Sequence, residues 1–169
     1  MALSVIPGDK PALPTLPAAY VAHCASGLRI AQHTGGHSAP WQPTREQVAL
    51  WEAQERSQWV YATKPRQTGI TTAALLGDVL WVNACDVSGH AVTCTIVLDT
   101  DAKGLAKIAI AADWCRQLGL DVRCLTGSIT WPNGSTLNYA SAHVDEPARS
   151  GTIHRLHLTE LPFWSNPTR

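Results

Sequence analysis

The sequence predicts an α/β fold with parallel strands at the centre of its sheet. Stretches typical of strands alternate with stretches typical of helices, which favours parallel strands joined through helices. One strand, Val92–Leu98, is a continuous apolar run and therefore suits a sheet that is covered on both faces. The chain of 169 residues is long enough for one domain with its own core.

The first 43 residues differ in composition from the rest. They contain six of the eleven prolines and the pair Gly35-Gly36. Because proline and glycine interrupt regular structure, we expect a Pro-rich, irregular arm over residues 1–43 with one short helix near Tyr20–Ile30. One domain is then expected over residues 44–169.

Regular structure is predicted from Thr44 onward. Thr44 and Gln47 have the spacing of a capping box, which predicts a helix that ends near Ser57. Asp99 and Thr100 are good caps for a later helix. The other predicted elements are a buried strand at Trp59–Ala62, a loop at Lys64–Gly69, helices at Ile70–Asn83 and Ala102–Leu118, strands at Asp121–Leu125 and Ile153–Leu158, and a hairpin turn at Thr130–Thr136.

Composition excludes several classes of protein. Thirteen basic residues balance thirteen acidic ones, so a strongly basic nucleic-acid module is excluded. The apolar segment Gly104–Ala112 carries Lys107 and is too short to cross a bilayer, so we expect a soluble, cytoplasmic protein without membrane contact. The five cysteines form no CxxC pair and are expected to be buried apolar residues, not zinc ligands.

The order strand, loop, helix around Lys64–Gly69 is that of a phosphate-binding loop. On the pattern G-x-x-x-x-G-K-[ST], Gly69 and Thr71 fit, whereas Lys64 replaces the first glycine and Ile70 replaces the lysine. A phosphate site needs a cation, which Lys64 or Arg66 can supply from within the loop. An ordinary strand-to-helix connection remains the alternative.

The segment Arg66-Gln67-Thr68-Gly69-Ile70-Thr71-Thr72 resembles the deviant Walker A motif of phage terminase large subunits, the ATPases that package DNA into procapsids. Further similarities occur in the same order over Gln47–Trp164. They are an upstream glutamine at Gln47, the turn Asn133-Gly134-Ser135, the segment Ala148-Arg149-Ser150-Gly151, and an apolar strand that leads to Thr159, Glu160 and then Phe163-Trp164.

This resemblance implies a P-loop NTPase lobe of the RecA/ASCE-like kind, with a mainly parallel sheet flanked by helices, truncated after Walker B. It implies ATP and Mg²⁺ as ligands. The implied nucleotide-binding residues are Gln47, Lys64, Arg66, Gln67, Thr68, Gly69, Ile70, Thr71 and Thr72. Thr71 would meet Mg²⁺ through the nucleotide, and Arg66 and Glu160 would be catalytic, with Glu160 acting on the metal only indirectly. If the strands before Gly69 and Glu160 are parallel neighbours, Glu160 lies near the phosphate loop.

Two residues leave alternatives open, and a third departs from the family's pattern. In the family, a glutamine at the position of Gln47 contacts the adenine. The capping box with Thr44 is an equally good reason for a glutamine at this position. Arg149 can reach phosphates or a neighbouring subunit, or can be a solvated loop residue. Thr159 stands where Walker B normally has an aspartate, so we expect weakened affinity for Mg²⁺.

The implied function is the N-terminal ATPase portion of a viral DNA-packaging motor in the host cytoplasm. Its implied partners are double-stranded DNA, the small terminase subunit and the portal protein, with homo-oligomerisation in the full motor. Since the resemblance covers only the first part of an ATPase lobe, the isolated chain is expected to bind ATP without robust turnover. The alternatives are another RecA-like helicase or translocase fragment and a degenerate P-loop domain that serves as a non-enzymatic interaction module.

Overall fold

The computed structural model describes residues 2–6, 13–31, 38–63, 68–142 and 152–159. The helices in this part of the chain are α1 (Ala18–Gly27), α2 (Arg45–Arg56), α3 (Ile70–Val87) and α4 (Asp101–Gln117). The strands are β1 (Ala2–Ile6), β2 (Arg29–Ala31), β3 (Ser38–Pro40), β4 (Trp59–Thr63), β5 (Thr93–Leu98), β6 (Arg123–Leu125), β7 (Ser128–Thr130), β8 (Thr136–Ser141) and β9 (Arg155–Leu158).

The chain divides into two compact units, Met1–Leu80 and Trp81–Arg169. We call them the N-unit and the C-unit, and α3 runs through the boundary between them. This division differs in position from the predicted boundary after residue 43, and the prediction of one domain over residues 44–169 stays a prediction.

The N-unit is built around α2. This helix packs against α1, β1 and β4. The backbone N–H of Ala18, the first residue of α1, donates to Glu55 Oε2 of α2 at 3.1 Å, so a carboxylate from one helix satisfies the start of the other. Leu50 and Trp51 of α2 are buried in the core of this unit, as their helical spacing predicts.

The first 43 residues are more regular than predicted. The expected short helix is present as α1, but β1, β2 and β3 also lie in this region. β1 pairs antiparallel with β4, and β2 pairs antiparallel with β3. The described residues of this region therefore contain more regular structure than expected, because partner strands order segments whose local sequence gives little signal. The assignment of residues 1–43 as a separate arm stays a prediction.

The strand before the candidate phosphate loop differs from expectation in its surroundings. β4 exists where predicted, but Trp59 is 58% exposed and Tyr61 is 56% exposed. The two side chains point to the same face because successive residues of a strand alternate. β4 is thus not a buried parallel strand, and its hydrogen-bonded partner among the described residues is the antiparallel β1.

The C-unit contains a five-stranded mixed sheet in the order β6-β7-β8-β5-β9. β8, β5 and β9 run parallel, whereas the hairpin β6-β7 adds antiparallel strands on one side. The described structure is therefore α/β, with a mixed sheet flanked by helices, and the predicted parallel arrangement is present at β8, β5 and β9. β5 is buried from Cys94 to Leu98, as its continuous apolar sequence predicts.

Helix α4 covers this sheet by packing against β8, β5 and β7. Thr100 is its N-cap and accepts a hydrogen bond from the Lys103 backbone N–H at 3.4 Å, as predicted. The helix comes very close to β8 at Gly104, where an added Cβ would lie 2.1 Å from Cδ2 of Tyr139. Only glycine leaves room for the tyrosine ring at this position.

The predicted hairpin turn joins β7 to β8. Gly134 has φ +88°, the left-handed conformation that glycine adopts without strain. Asn133 donates its backbone N–H to Asp86 Oδ1 at 3.0 Å, and Ser135 donates its hydroxyl to the carbonyl oxygen of His90 at 3.1 Å. The turn is therefore fixed to the end of α3 and to the residues before β5.

Helix α3 and three of the five cysteines are largely buried. By length and composition alone α3 could cross a membrane, yet 67% of it is buried, as in a core helix of a soluble protein. Cys85, Cys94 and Cys115 are buried free thiols, as predicted. Cys24 is only partly buried and Cys124 is exposed, so the expectation of buried cysteines is wrong for Cys124.

Candidate functional site

The start of α2 contains the predicted capping box. The Gln47 backbone N–H donates to Thr44 Oγ1 at 3.4 Å, and the Thr44 backbone N–H donates to Gln47 Oε1 at 3.1 Å. Gln47 is only 6% exposed. Its side chain is therefore a buried structural part of the helix start, which is the local alternative that the sequence left open.

The same side chain reaches the end of the candidate phosphate loop. Gln47 Nε2 donates to the carbonyl oxygen of Thr68 at 3.4 Å. A Cβ added to Gly69 would lie 2.5 Å from this nitrogen. The structure thus brings together three of the predicted site residues, Gln47, Thr68 and Gly69.

Helix α3 begins directly after Gly69, which has φ +70°. The Ala73 backbone N–H donates to the Gly69 carbonyl oxygen at 2.9 Å and closes the first turn. Ile70 is buried and 4% exposed, whereas Thr71 and Thr72 are half-buried in the same turn. The predicted positions from Thr68 to Thr72 therefore lie on one short stretch that leads from the loop into the helix.

Four predicted site residues lie outside the described residues. They are Lys64, Arg66, Gln67 and Glu160. Arg149, the further loop arginine with two alternative roles, lies outside them as well. Their assignments as phosphate cations, loop residues and catalytic carboxylate stay predictions.

Strand pairing bears on the expected position of Glu160. β9, the strand that precedes it, pairs in parallel with β5, whereas β4 pairs with β1. These are the pairings over the described ranges, and the expected position of Glu160 near the phosphate loop stays a prediction. Thr159, which stands at the usual aspartate position, is buried and donates its backbone N–H to the Val97 carbonyl oxygen at 3.2 Å.

The chemistry of the first turn distinguishes α3 from the other helices. α2 has Glu46 in its first turn and α4 has Asp101, while α1 receives the carboxylate of Glu55. The backbone N–H at the helix start and the Thr44 hydroxyl hold the pKa of Glu46 below its usual value. The first turn of α3 contains no acidic residue. Because a helix N-terminus favours negative charge, this turn is open to an anion without competition from a first-turn carboxylate.

Two tryptophans in this region were not predicted as site residues. Trp41 donates its indole N–H to Gln47 Oε1 at 3.0 Å, and Trp51 donates its indole N–H to the Ala73 carbonyl oxygen at 2.9 Å. The two rings meet edge to face, with centroids 6.1 Å apart. The four-residue spacing of Gln47 and Trp51 places them on one face of α2 and is the signal that points to them jointly.

His154, just before β9, and His157, on β9, do not belong to a group of metal ligands among the described residues. His154 Nδ1 accepts a hydrogen bond from the Thr93 backbone N–H at 3.0 Å. Over the described ranges, no group of three or more histidine, cysteine, aspartate or glutamate residues is placed to hold a metal ion. Mg²⁺ bound through a nucleotide needs no such group, since phosphate oxygens and waters supply most of its ligands.

No protein-family model matches this chain, and no curated protein and no solved structure is significantly similar to it.

Proposed function

We propose that this chain is the ATP-binding part of a DNA-packaging motor of the terminase large-subunit kind. The observation that carries the proposal is the start of α3, which follows a glycine at φ +70° and has no acidic residue in its first turn. Arg66, three residues before that glycine, supplies the positive charge that a phosphate requires. The resemblance of Arg66–Thr72 to the family's loop identifies the ligand as ATP.

Each residue of the loop then has a distinct role. The backbone N–H groups over 68–71 and the guanidinium of Arg66 hold the β- and γ-phosphates, with Lys64 as a second cation. The hydroxyl of Thr71 binds Mg²⁺ that arrives with the nucleotide, and Glu160 orients the attacking water. Bound MgATP supplies the phosphoryl group that is transferred to water.

Two residues limit the expected activity. Ile70 replaces the lysine of the usual loop and is buried, so the cation must come from Arg66 or Lys64. Thr159 offers a neutral hydroxyl where a carboxylate normally helps to hold Mg²⁺. We therefore expect the isolated chain to bind MgATP without robust turnover.

The same resemblance supports a more specific fold class and a set of partners. The fold is a P-loop NTPase lobe, and the partners are double-stranded DNA, the small terminase subunit, the portal protein and further copies of the same chain. The motor works in the host cytoplasm. The neutral net charge agrees with a DNA contact that is confined to a local surface.

Thermal unfolding with and without MgATP tests the proposal. A ligand that binds only the folded state stabilises it by about 2.7 kcal/mol at 100 times its dissociation constant. We expect the unfolding midpoint to rise with MgATP and the rise to be lost in Arg66→Ala. Arg56→Ala is the matched control, because Arg56 is an exposed arginine at the end of α2. A cooperative transition that MgATP leaves unchanged would overturn the proposal.

The second candidate function is a degenerate P-loop domain that binds a partner and no nucleotide. The burial of Ile70 at the lysine position favours it, since an apolar residue there stabilises the helix without any ligand. The same experiment separates the two functions. A folded protein without a MgATP-dependent shift is the result that this second candidate predicts.

A further inference from the structure

We infer that Gln47 is a positioning residue that holds the backbone of the candidate phosphate loop and does not read the nucleobase. The inference rests on the proposed function and assigns to Gln47 a role different from the adenine contact that the resemblance implies. It predicts that the contribution of Gln47 to binding depends on the phosphates of the ligand and not on its base.

The acceptor side of the Gln47 amide is fully used within the protein. Oε1 accepts one hydrogen bond from the Trp41 indole at 3.0 Å and another from the Thr44 backbone N–H at 3.1 Å. An amide oxygen has two lone pairs. Both are therefore engaged, and the oxygen has no capacity left to accept from the amino group of adenine.

The donor side of the amide faces the loop. Nε2 donates to the Thr68 carbonyl oxygen at 3.4 Å and occupies the space that a side chain at Gly69 would need. With only 6% of the residue exposed, this nitrogen lies against backbone and not at an open surface. The contact therefore holds Thr68 and Gly69, the two residues that connect the loop to α3.

A second hydrogen bond from α2 holds the other side of the same junction. Trp51 lies one turn after Gln47, on the same face, and its indole donates to the Ala73 carbonyl oxygen at 2.9 Å. The two bonds reach Thr68 and Ala73, one on each side of Gly69. Trp41 contacts both donors, through its hydrogen bond to Gln47 and its edge-to-face contact with Trp51. Together these contacts fix the direction in which the first turn of α3 presents its N–H groups.

The substitution Gln47→Met tests this role, because methionine has a similar volume and no amide. The matched control is Gln54→Met, the same change on the same helix at a partly exposed position. The dissociation constants of MgATP, MgGTP and magnesium tripolyphosphate are measured for wild type and both variants. We expect Gln47→Met to weaken all three ligands by the same factor, about tenfold for a lost buried hydrogen bond, and Gln54→Met to change none.

The other outcomes are distinguishable. A loss confined to MgATP overturns the inference in favour of adenine recognition, and unchanged constants for all three ligands overturn it outright. If the wild type binds none of the three ligands, the proposed function fails and the inference fails with it.

Two further measurements test the same role, and the first of them does not depend on the folding of Gln47→Met. Trp51→Phe keeps the aromatic ring but removes the hydrogen bond to Ala73, and we expect a smaller loss that is again equal for the three ligands. Hydrogen exchange of the Ala73 amide, which bonds to the Gly69 carbonyl, is expected to accelerate in Gln47→Met relative to amides of β5. Unchanged exchange at Ala73 would contradict a positioning role.

Discussion

The two long helices that follow strands, α3 and α4, begin in chemically opposite ways. Two residues separate β5 from α4, where the Thr100 hydroxyl caps the helix and Asp101 places a carboxylate in the first turn. α3 starts behind Gly69, a residue that has no side chain to act as a cap, and its first turn contains no acid. The chain supplies a hydroxyl and a carboxylate to the start of α4, whereas the first turn of α3 has no acidic residue that would compete with the anionic ligand proposed above.

This difference shows that the order strand, loop, helix does not identify a phosphate site. Both junctions have that order, but the residues of the cap and of the first turn differ. It also shows that the strand before such a loop need not be central, since β4 lies in a two-stranded antiparallel pair and β5 is buried in the larger sheet. The proposed phosphate site at the start of α3 therefore rests on a few residues next to the helix start and not on the order of the elements.

Each junction also depends on a glycine, for a different reason. Gly104 in the first turn of α4 leaves room for the ring of Tyr139. Gly69 before α3 adopts a positive φ and leaves room for the amide of Gln47. Substitutions at these two positions measure how strongly each helix start is held.

Gly104→Leu is expected to have the largest effect. A Cβ at this position would lie 2.1 Å from Tyr139 Cδ2, and the rigid ring cannot move unless α4 or β8 shifts. Leucine is a good helix former, so the loss must come from packing and not from helix propensity. We expect the free energy of unfolding, measured by urea denaturation, to fall by about 3 kcal/mol.

The control for this change is Gly27→Leu. Gly27 is also helical, but an added Cβ there would meet no atom within 4 Å. We expect its free energy of unfolding to stay within about 0.5 kcal/mol of wild type. If Gly104→Leu changed the free energy of unfolding as little as Gly27→Leu, this result would contradict the close packing of α4 on β8 at Gly104.

Gly69→Ala is expected to cost about 2 kcal/mol of unfolding free energy. A left-handed φ disfavours alanine by roughly 1–2 kcal/mol. The added Cβ would also lie only 2.5 Å from Gln47 Nε2, so the amide of Gln47 would have to move. Gly89→Ala is the matched comparison, because Gly89 has φ +75° with nothing within 4 Å of an added Cβ. Equal losses in the two variants, measured by urea denaturation, would mean that the Gln47 contact contributes nothing to stability.

The features that could be predicted from the sequence are those with local causes. The capping box at Thr44 and Gln47 and the cap at Thr100 need only a few neighbouring residues. The buried strand β5 follows from its continuous apolar composition. These elements formed as predicted because local propensity and tertiary packing favour the same structure.

The features that could not be predicted depend on partners far away in the sequence. The aromatic residues of β4 indicate a strand but not which face is covered, and its pairing with β1 joins residues more than fifty positions apart. In the candidate site, the capping box was predictable, but the bond from Gln47 to Thr68 was not, since the cap already accounts for the glutamine. A residue that serves two structural roles shows only the local one in its sequence context.

The two helices resemble each other near their C-terminal ends, where each contains a buried thiol. Burial raises the pKa of Cys85 in α3 from the ordinary value of 9.0 to about 11, and that of Cys115 in α4 to about 12. Both thiols therefore ionise more readily in the unfolded chain than in the folded protein. Well below pH 9 neither state is ionised, so the thiols do not change the free energy of unfolding. This free energy falls as the pH rises through 9 toward the folded-state pKa values.

Cys115→Ala tests how much the buried Cys115 thiol contributes to the pH dependence of stability, which is the smallest effect expected here. Between pH 8 and pH 9.5, ionisation of this one thiol in the unfolded chain should lower the free energy of unfolding by about 0.8 kcal/mol. The wild type is therefore expected to lose about that much more stability over this interval than Cys115→Ala, as measured by urea denaturation at both pH values. If Cys115→Ala kept the pH dependence of the wild type, the Cys115 thiol would ionise as easily in the folded protein as in the unfolded chain, and α4 would not shield it from water.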